Sequence, residues 1–524
     1  MAERRSNAPL VAAGILLSRI AGLIRQRVLA HFLGLSDAAD AFTAAFRIPN
    51  FLQNLFGEGV MSASFIPVYA RLRAQGRDDD ARRVAGAVVS LLVLVVALIV
   101  AIGVVIAPWL AAAIAPGFTG AKRDLVATMV RILFPGTGFL VFSAWCLGIL
   151  NSHRRFFLSY AAPVIWNAAI ITATLLAPRG AEGERIVIWT AWGAVVGSLL
   201  QFAVQLPAVL RLTGPLRLAL RTSQPETGIV LRNFVPAFIG RGVVQISAFV
   251  DEIIGSLLPS GALAALGSAQ TLYTLPVSLF GMSVAAAELP ELSAEAGSDQ
   301  PAHGRLRQRM ETAMGHVAFF IIPSMVALAA LGHVIAGAVF QTGRFTRADS
   351  IYVWAILAGS AVGLLAGTLG RLYSSAWYAL HDARTPLRFA LIRVALTVGL
   401  GFVAALYVPG WVGIEARWGA VGLTASAGIA GWVEFLFLRS SLDARIGKTR
   451  LETAHLLKLW GPALLGAGAG WGVLLLLDDR FGPVVTAVAV LFPFGIVYLA
   501  GTLALRVPLA QSIISRVTRR APPA

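Results

Sequence analysis

The sequence predicts an all-α polytopic membrane protein with about fourteen transmembrane helices. Only 13% of the 524 residues are charged and 57% are hydrophobic. A soluble globular protein carries about a quarter charged residues, so this chain cannot cover a water-facing surface and lipid must be its main solvent. Long apolar runs, such as VVSLLVLVVALIVAIGVVIA at 88–107, do not alternate as the strands of a membrane barrel do, which favours helices.

A spanning helix needs about 20 mostly apolar residues, and fourteen segments meet this criterion. Glycine and proline inside several of them predict kinks and tilts. We expect no cleavable signal peptide, because no small-residue cleavage site follows the first apolar run. The candidate spans are 8–36, 38–70, 84–115, 124–150, 156–178, 187–210, 229–257, 262–292, 311–340, 350–380, 387–408, 418–440, 459–477 and 481–506.

The basic residues of the loops orient these spans. The N-terminus and every second loop after it carry 24 lysines and arginines, whereas the other loops carry 8. Because cytoplasmic loops are enriched in basic residues, both termini are predicted to be cytoplasmic. The formal net charge of +17 therefore reflects membrane orientation, and we predict no nucleic-acid partner.

A weak internal repeat predicts two six-helix lobes. The second span reads IPNFLQNLFGEGVMSASFIPVYA and the eighth LPVSLFGMSVAAAELPELSA, each a proline, a Gly- and Ser-containing apolar stretch and a second proline. Internal repeats are common in transporters, although coincidence in a Gly-rich membrane protein is the alternative. We predict lobes at 1–221 and 222–450, and two extra transmembrane helices with a basic cytoplasmic tail at 451–524.

Signatures of soluble enzymes and cofactors are missing from the sequence. The histidines show no metal-ligand spacing, and GKT at 447–449 has Leu442 where a phosphate-binding loop requires glycine. The single cysteine, Cys146, excludes a disulfide framework within the chain. We therefore predict no enzyme activity, no metal and no cofactor, and transport driven by gradients or membrane potential.

Ionisable residues inside the spans are the candidates for a functional site, because such groups are costly in lipid and usually face a cavity or a partner. Arg19 and Arg25 are interpreted as lining a polar cavity that binds an anion, and a kink at Gly22 would bring them together. Diphosphate suits arginine, whose fork donates to two oxygens at once. The alternative is an ion pair of Arg25 with Asp40 or Glu58. The other candidates are Arg27, Arg47, Arg131, Arg241, Asp251, Glu252, Glu288, Arg371, Arg393 and Glu434.

Asp251 is interpreted as a possible site for a monovalent cation or a proton. It precedes Glu252 in the seventh span, and the two side chains point about 100° apart, so one can face a cavity while the other meets an interface. Pairing with Arg241 is the alternative, although nearly three helical turns separate them. Arg27 and Arg393 are interpreted either as structural or as reaching toward an interface.

The most specific motifs of the sequence lie in its first 70 residues. They are Ser18-Arg19, Gly22, Arg25, Asp40-Ala41-Phe42, Pro49-Asn50, Glu58-Gly59 and Phe65-Ile66-Pro67, followed by QIS at 245–247, FQTGRFT at 340–346 and WYALHDARTP at 377–386. Through these motifs the chain resembles the MurJ (MviN) family of lipid II flippases.

The resemblance implies a fold of two six-helix lobes plus two helices, and a cationic cavity that opens to the two sides of the membrane alternately. It implies that lipid II, an undecaprenyl-diphosphate-linked muropeptide, moves from the cytoplasmic to the periplasmic leaflet of a bacterial inner membrane, with membrane lipids and the cell-wall synthesis machinery as further partners. Alternatives are export of another polyprenyl-diphosphate glycolipid or a drug, and a non-transporting cell-wall scaffold. The implied headgroup site comprises Ser18, Arg19, Arg25, Asp40, Arg47, Glu58 and Arg241.

Several positions depart from the family pattern. Gln26, Gln53 and Asn54 replace charged residues, and an Asp-Arg…Glu pattern of the eighth span aligns with Gln270-Thr271…Thr274. Arg47 and Arg241 are expected to compensate. Some members use an aspartate of the seventh span, matched by Asp251, in a sodium site, but the eleventh span has no aspartate or asparagine to complete it.

Overall fold

A computed structural model describes residues 8–56, 58–178, 180–216, 225–281, 300–477 and 481–518. All regular elements within these ranges are helices, which confirms the predicted fold class. The α-helices before residue 260 are α1 Ala8–Leu33, α2 Asp37–Phe56, α3 Glu58–Ala74, α4 Asp78–Val105, α5 Ala107–Ile114, α6 Gly120–Ser152, α7 Phe156–Leu175, α8 Gly183–Thr213 and α9 Pro225–Ser256.

The second half of the chain is equally helical. A π-helical turn, Val277–Gly281, follows α10, and a 3-10 turn, Ala416–Trp418, precedes α16. The α-helices are α10 Ala262–Pro276, α11 Gln300–Phe340, α12 Arg347–Ala361, α13 Leu364–Ala379, α14 Arg384–Leu406, α15 Val408–Val412, α16 Gly419–Ile446, α17 Thr453–Leu477, α18 Pro483–Ala504 and α19 Pro508–Thr518.

Where the structure describes them, the predicted spans coincide with a helix or with consecutive helices; residues 282–292 of the eighth span lie outside the described residues. Within the described residues, 10 helices are long and apolar enough to cross a membrane, or 11 when α12 and α13, bent by 43° at their junction, count as one. The remaining predicted spans correspond to α1, to α2 with α3, and to α9. These segments carry every residue of the implied headgroup site, together with Asp251.

The helices form two compact units, and the first comprises residues 1–264 and 342–344. In it α6 packs on α8 and α2, α8 on α7, and α7 on α1. Trp145 of α6 and Phe65 of α3 are fully buried in the apolar core that joins α3, α4 and α6. Small residues allow close helix approach: a Cβ on Gly197 of α8 would lie 2.9 Å from the Trp166 carbonyl oxygen.

Residues 342–344, part of the FQTGRFT motif, belong to the first unit because they bind the end of α1. The Arg344 backbone N–H donates to the His31 carbonyl at 2.9 Å, and the Thr342 hydroxyl lies 2.8 Å from His31 Nδ1. Gly343 has a φ of +55°, and a Cβ there would lie 2.3 Å from the His31 carbonyl oxygen. Only glycine fits this position.

The second unit comprises residues 265–341 and 345–524. The 41-residue α11 packs against α12, α13, α17 and α18, while α16 packs against α12, α13 and α14. Tyr373 of α13 is buried, with its hydroxyl 2.6 Å from the Thr449 hydroxyl. The predicted lobe boundaries at 221 and 450 describe a repeat rather than contact-based units, and they stay a prediction.

Candidate functional site

Arg25 of α1 lies between two aromatic side chains. Its guanidinium carbon is 5.2 Å from the ring centroid of Phe46 on α2 and 5.5 Å from that of Trp166 on α7. The two rings stack at 5.4 Å with an interplanar angle of 14°. The Trp166 indole N–H donates to the Ala194 carbonyl of α8 at 3.0 Å, which fixes the ring. Four helices thus position one arginine.

The surroundings of Arg25 leave it able to bind an anion. Its buried Nε has no hydrogen-bond partner, and Arg25 forms no ion pair within the described part of the chain. The aromatic faces compensate for part of the cost of a desolvated cation, by about 1 kcal/mol each, but they accept no conventional hydrogen bond. The guanidinium therefore keeps its capacity for a bidentate oxyanion.

The predicted alternative, an ion pair of Arg25 with Asp40, is wrong because Asp40 is bound elsewhere. Its carboxylate accepts hydrogen bonds from the backbone N–H groups of Gly261 and Ala264, each at 2.8 Å, and pairs with Lys122 Nζ at 2.7 Å. Asp37 pairs with the same ammonium at 2.6 Å. We call Asp37, Asp40 and Lys122 the aspartate–lysine cluster.

The aspartate–lysine cluster gives Asp40 a structural role that requires no substrate. Asp40 is 1% exposed and satisfies backbone donors at the start of α10, where the first N–H groups of a helix lack partners within the helix. At the first residue of α2, the hydrogen bond from Lys122 lowers the pKa of Asp37 below its usual value. Substrate binding by Asp40 stays a prediction.

Arg19 and Ser18 lie on the same helix but not in the setting of Arg25. The helix α1 is continuous through Gly22, and Arg19 is exposed while Ser18 and Arg25 are half-buried. No break interrupts α1 at Gly22, and the kink that would bring Arg19 beside Arg25 stays a prediction. Within the first unit, Arg19 is therefore a separate exposed cation, and its role in headgroup binding stays a prediction.

Arg47 of α2 forms an ion pair with Glu252 of α9. The Arg47 Nε lies 3.1 Å from Glu252 Oε2, and the side chains are 35% and 5% exposed. The other carboxylate oxygen of Glu252, Oε1, is buried without a hydrogen-bond partner. Asp251, the predicted ion site, is exposed. The sequence indicated that these adjacent carboxylates diverge, but it did not identify Arg47 as the partner.

The remaining predicted positions are only partly described. The side chains of Glu58 and Arg241 lie outside the described residues, so their assignments stay predictions. In α10 the Thr271 hydroxyl donates to the Gly267 carbonyl at 3.0 Å and the Thr274 hydroxyl to the Gln270 carbonyl at 2.7 Å. Two of the neutral residues at positions that are charged in the family pattern are thus bonded within their own helix.

A many-span helical fold that holds an arginine between two aromatic rings inside its spans is typical of a membrane transporter. A family model described as "Lipid II flippase MurJ" matches residues 29–492. A probable lipid II flippase MurJ of Bdellovibrio bacteriovorus is 32% identical over 478 residues, which cover 90% of this chain and 87% of that protein. The lipid II flippase MurJ of Burkholderia cenocepacia is 31% identical over 83% of each chain.

Solved structures agree on the fold. A lipid II flippase MurJ in an inward closed conformation superposes with a TM-score of 0.76 at 24% identity, covering 98% of this chain and 100% of that one. An inward-facing multidrug resistance MATE family transporter of the MOP superfamily gives a TM-score of 0.65 at 17% identity, covering 83% of this chain and 98% of its own.

The chain belongs to the MurJ family. This membership confirms the resemblance found in the sequence motifs, and it confirms the predictions of a multi-pass membrane protein that is a transporter rather than an enzyme.

Proposed function

We propose that this chain flips lipid II from the cytoplasmic to the periplasmic leaflet of a bacterial inner membrane during cell-wall biosynthesis. Family membership supports the substrate, because relatives named lipid II flippase MurJ align over most of the chain. Transport would proceed by alternating access of a cationic cavity. A polar headgroup crossing about 30 Å of hydrocarbon needs such a charged path.

Arg25 carries this proposal. Its guanidinium is fixed against Phe46 and Trp166, and its buried Nε is without a hydrogen-bond partner. The diphosphate of lipid II would supply the missing acceptors. Ser18, Arg19, Arg47, Glu58 and Arg241 are proposed to extend the headgroup site along α1, α2, α3 and α9.

Complementation tests the proposal in cells. A bacterial strain depleted of its own lipid II flippase should grow when this chain is expressed, and Arg25→Ala at equal membrane abundance should fail to support growth. Arg388→Ala, which removes an exposed arginine of α14, is the matched control and should rescue fully. Absence of rescue by the unaltered chain at normal membrane abundance would argue for another substrate or for a scaffold role.

Export of another polyprenyl-diphosphate glycolipid is the second candidate. The neutral Gln270, Thr271 and Thr274, with two hydroxyls already bonded within α10, favour it, because they reduce the charge available to a headgroup. A competition assay separates the two functions: unlabelled lipid II should displace labelled lipid II from the purified chain at lower concentration than other polyprenyl-diphosphate glycolipids do.

Coupling to a monovalent cation or a proton is proposed at the adjacent carboxylates of α9. Asp251 is the residue that the sequence indicates, and the buried Glu252 beside it has one oxygen without a hydrogen-bond partner. Transfer of lipid II into liposomes under an imposed sodium or proton gradient tests this coupling, and Asp251→Asn and Glu252→Gln identify the residue. Transfer that does not depend on the gradient would refute this coupling.

Docking to the cell-wall synthesis machinery is proposed on family membership alone.

A further inference from the structure

A second set of charged side chains lies inside the spans of the second unit, away from Arg25. It consists of Tyr273 on α10, Arg371 on α13, Arg393 on α14 and Glu434 on α16, and we call it the second-unit arginine cluster. In the predicted orientation Arg371, Arg393 and Glu434 lie nearer the ends of their spans that are expected to be cytoplasmic. Charges at such depth call for a partner or a function.

One arginine of the cluster is already paired. Arg393 Nη1 lies 3.3 Å from Glu434 Oε2, and the side chains are 41% and 13% exposed. This contact supports the structural interpretation of Arg393 over the one in which it reaches toward an interface, and it neutralises the carboxylate that α16 places in the span.

The other arginine is not paired. Arg371 is exposed and interacts at longer range with Tyr273, Arg393 and Glu434, but it forms no hydrogen bond or ion pair within the described residues. Two guanidiniums therefore face one carboxylate, and the cluster carries an excess of one positive charge. The guanidinium N–H groups of Arg371 can therefore donate to two oxygens of one oxyanion.

The helix that carries Arg371, α13, packs tightly against α16 at the junction between α12 and α13. α12 and α13 meet at 43°, and a Cβ on Gly363 at this break would lie 2.4 Å from the Gly428 Cα of α16. The Trp432 indole N–H donates to the Val362 carbonyl at 2.8 Å, so this carbonyl at the junction has a hydrogen-bond donor. Arg371 follows two turns later on α13. Interrupted spans are where transporters commonly build binding sites.

Tyr273 supplies a second donor beside Arg371. Its hydroxyl oxygen lies 3.9 Å from the position of a Cβ on Gly367, one turn before Arg371 on α13. A glycine there leaves the space between the phenol and the guanidinium open. A phosphate bound by the guanidinium would lie within reach of the phenol hydroxyl.

We propose that Arg371, supported by Arg393 and Tyr273, forms a second anion site that binds the phosphate of a lipid headgroup. The phosphate has two sources: the diphosphate of the transported lipid, which rests on the proposed function, or the phosphodiester of a resident anionic phospholipid. The same guanidinium fork recognises both.

Binding to the purified full chain in phosphatidylcholine nanodiscs tests the site with two probes, labelled lipid II and short-chain phosphatidylglycerol. Arg371→Gln should weaken binding of at least one probe about tenfold, because a charge-assisted bidentate contact is lost. Arg371→Lys keeps the charge and should weaken the same probe by a smaller factor. Arg388→Gln removes an exposed arginine of α14 and should bind both probes as the unaltered chain does.

The outcomes separate the sources. A loss confined to lipid II assigns the transported lipid, and a loss confined to phosphatidylglycerol assigns a resident phospholipid. Affinities within twofold of the Arg388→Gln values for both probes, in Arg371→Gln protein with an unchanged melting temperature, would overturn the site. If Arg371→Gln does not fold, the same twofold criterion applies to Arg371→Lys. Failure of the unaltered chain to transfer lipid II would remove the proposed function, while Arg371-dependent phosphatidylglycerol binding would leave the site standing.

Discussion

At the scale of single residues, the sequence identified Arg25 but not the side chains that hold it. A cation inside an apolar span is conspicuous because it is costly there. Phe46 and Trp166, by contrast, look like ordinary membrane aromatics, and only the packing of α1 against α7 and α2 brings their rings to the guanidinium. The arginine was therefore predictable and its positioning was not.

Removal of the indole should impair substrate binding through Arg25. Trp166→Leu should weaken lipid II binding about fivefold, because one cation–π contact of about 1 kcal/mol is lost. Trp166→Phe keeps an aromatic face and should recover much of this affinity. Titration of purified protein with labelled lipid II measures the effect, and Trp189→Leu, which alters an exposed tryptophan of α8, is the control. Equal affinities for the Leu and Phe variants would contradict this role.

The Arg47–Glu252 pair is a second residue-scale feature that spacing alone did not reveal. Arg47→Ala should lower the free energy of unfolding by about 2 kcal/mol, because it leaves the buried Glu252 carboxylate without its partner. This loss is smaller than the one expected from breaking a fully buried ion pair, because Arg47 is 35% exposed. Thermal unfolding in detergent measures the loss. Adding Glu252→Gln to Arg47→Ala should recover stability, and a double variant no more stable than the single one would refute the pairing.

At the scale of helices, apolar length predicted where the spans lie, but not where they break. The predicted spans 84–115 and 350–380 each contain two helices. At the last break, Gly363 and Gly428 come too close for any side chain on Gly363. Such a contact between distant glycines depends on the tertiary packing and cannot be seen in a single Gly-rich segment.

The aspartate–lysine cluster should act on the helices it joins. Asp40→Asn should destabilise the protein by about 3 kcal/mol, because the buried ion pair with Lys122 is broken. The new amide NH2 group also cannot accept the hydrogen bond from one of the two backbone N–H groups that the carboxylate binds. Asp37→Asn should cost less than about 1 kcal/mol, since Asp37 is 64% exposed. Thermal unfolding of the two variants checks the order, and equal losses would contradict the structural role of Asp40.

At the scale of the whole molecule, composition and loop charge predicted the class of protein, and specific motifs predicted its family. Membership in the MurJ family confirms both. The departures at Gln270, Thr271 and Thr274 concern the charge of the site rather than the fold, so the hydropathy pattern does not predict their effect on substrate binding. Their effect on the charge of the site depends on which charged residues elsewhere compensate, a role that the sequence predicts for Arg47 and Arg241.

The membrane orientation is a whole-molecule prediction that rests on the 24 basic residues in one set of loops against 8 in the other. A reporter that is active only in the cytoplasm, fused after the last residue, should be active. The same reporter inserted in the loop between α7 and α8 should be inactive. A periplasmic readout at the C-terminus would contradict the predicted topology.

Leaflet transfer in reconstituted liposomes tests the central claim most directly. Purified chain should move labelled lipid II from the inner to the outer leaflet, and Arg25→Ala, incorporated in equal amount and folded, should reduce the rate to that of protein-free liposomes. Transfer by Arg25→Ala at the rate of the unaltered chain would contradict the account of Arg25 as the headgroup-binding arginine, and no transfer by the unaltered chain would contradict the flippase function itself.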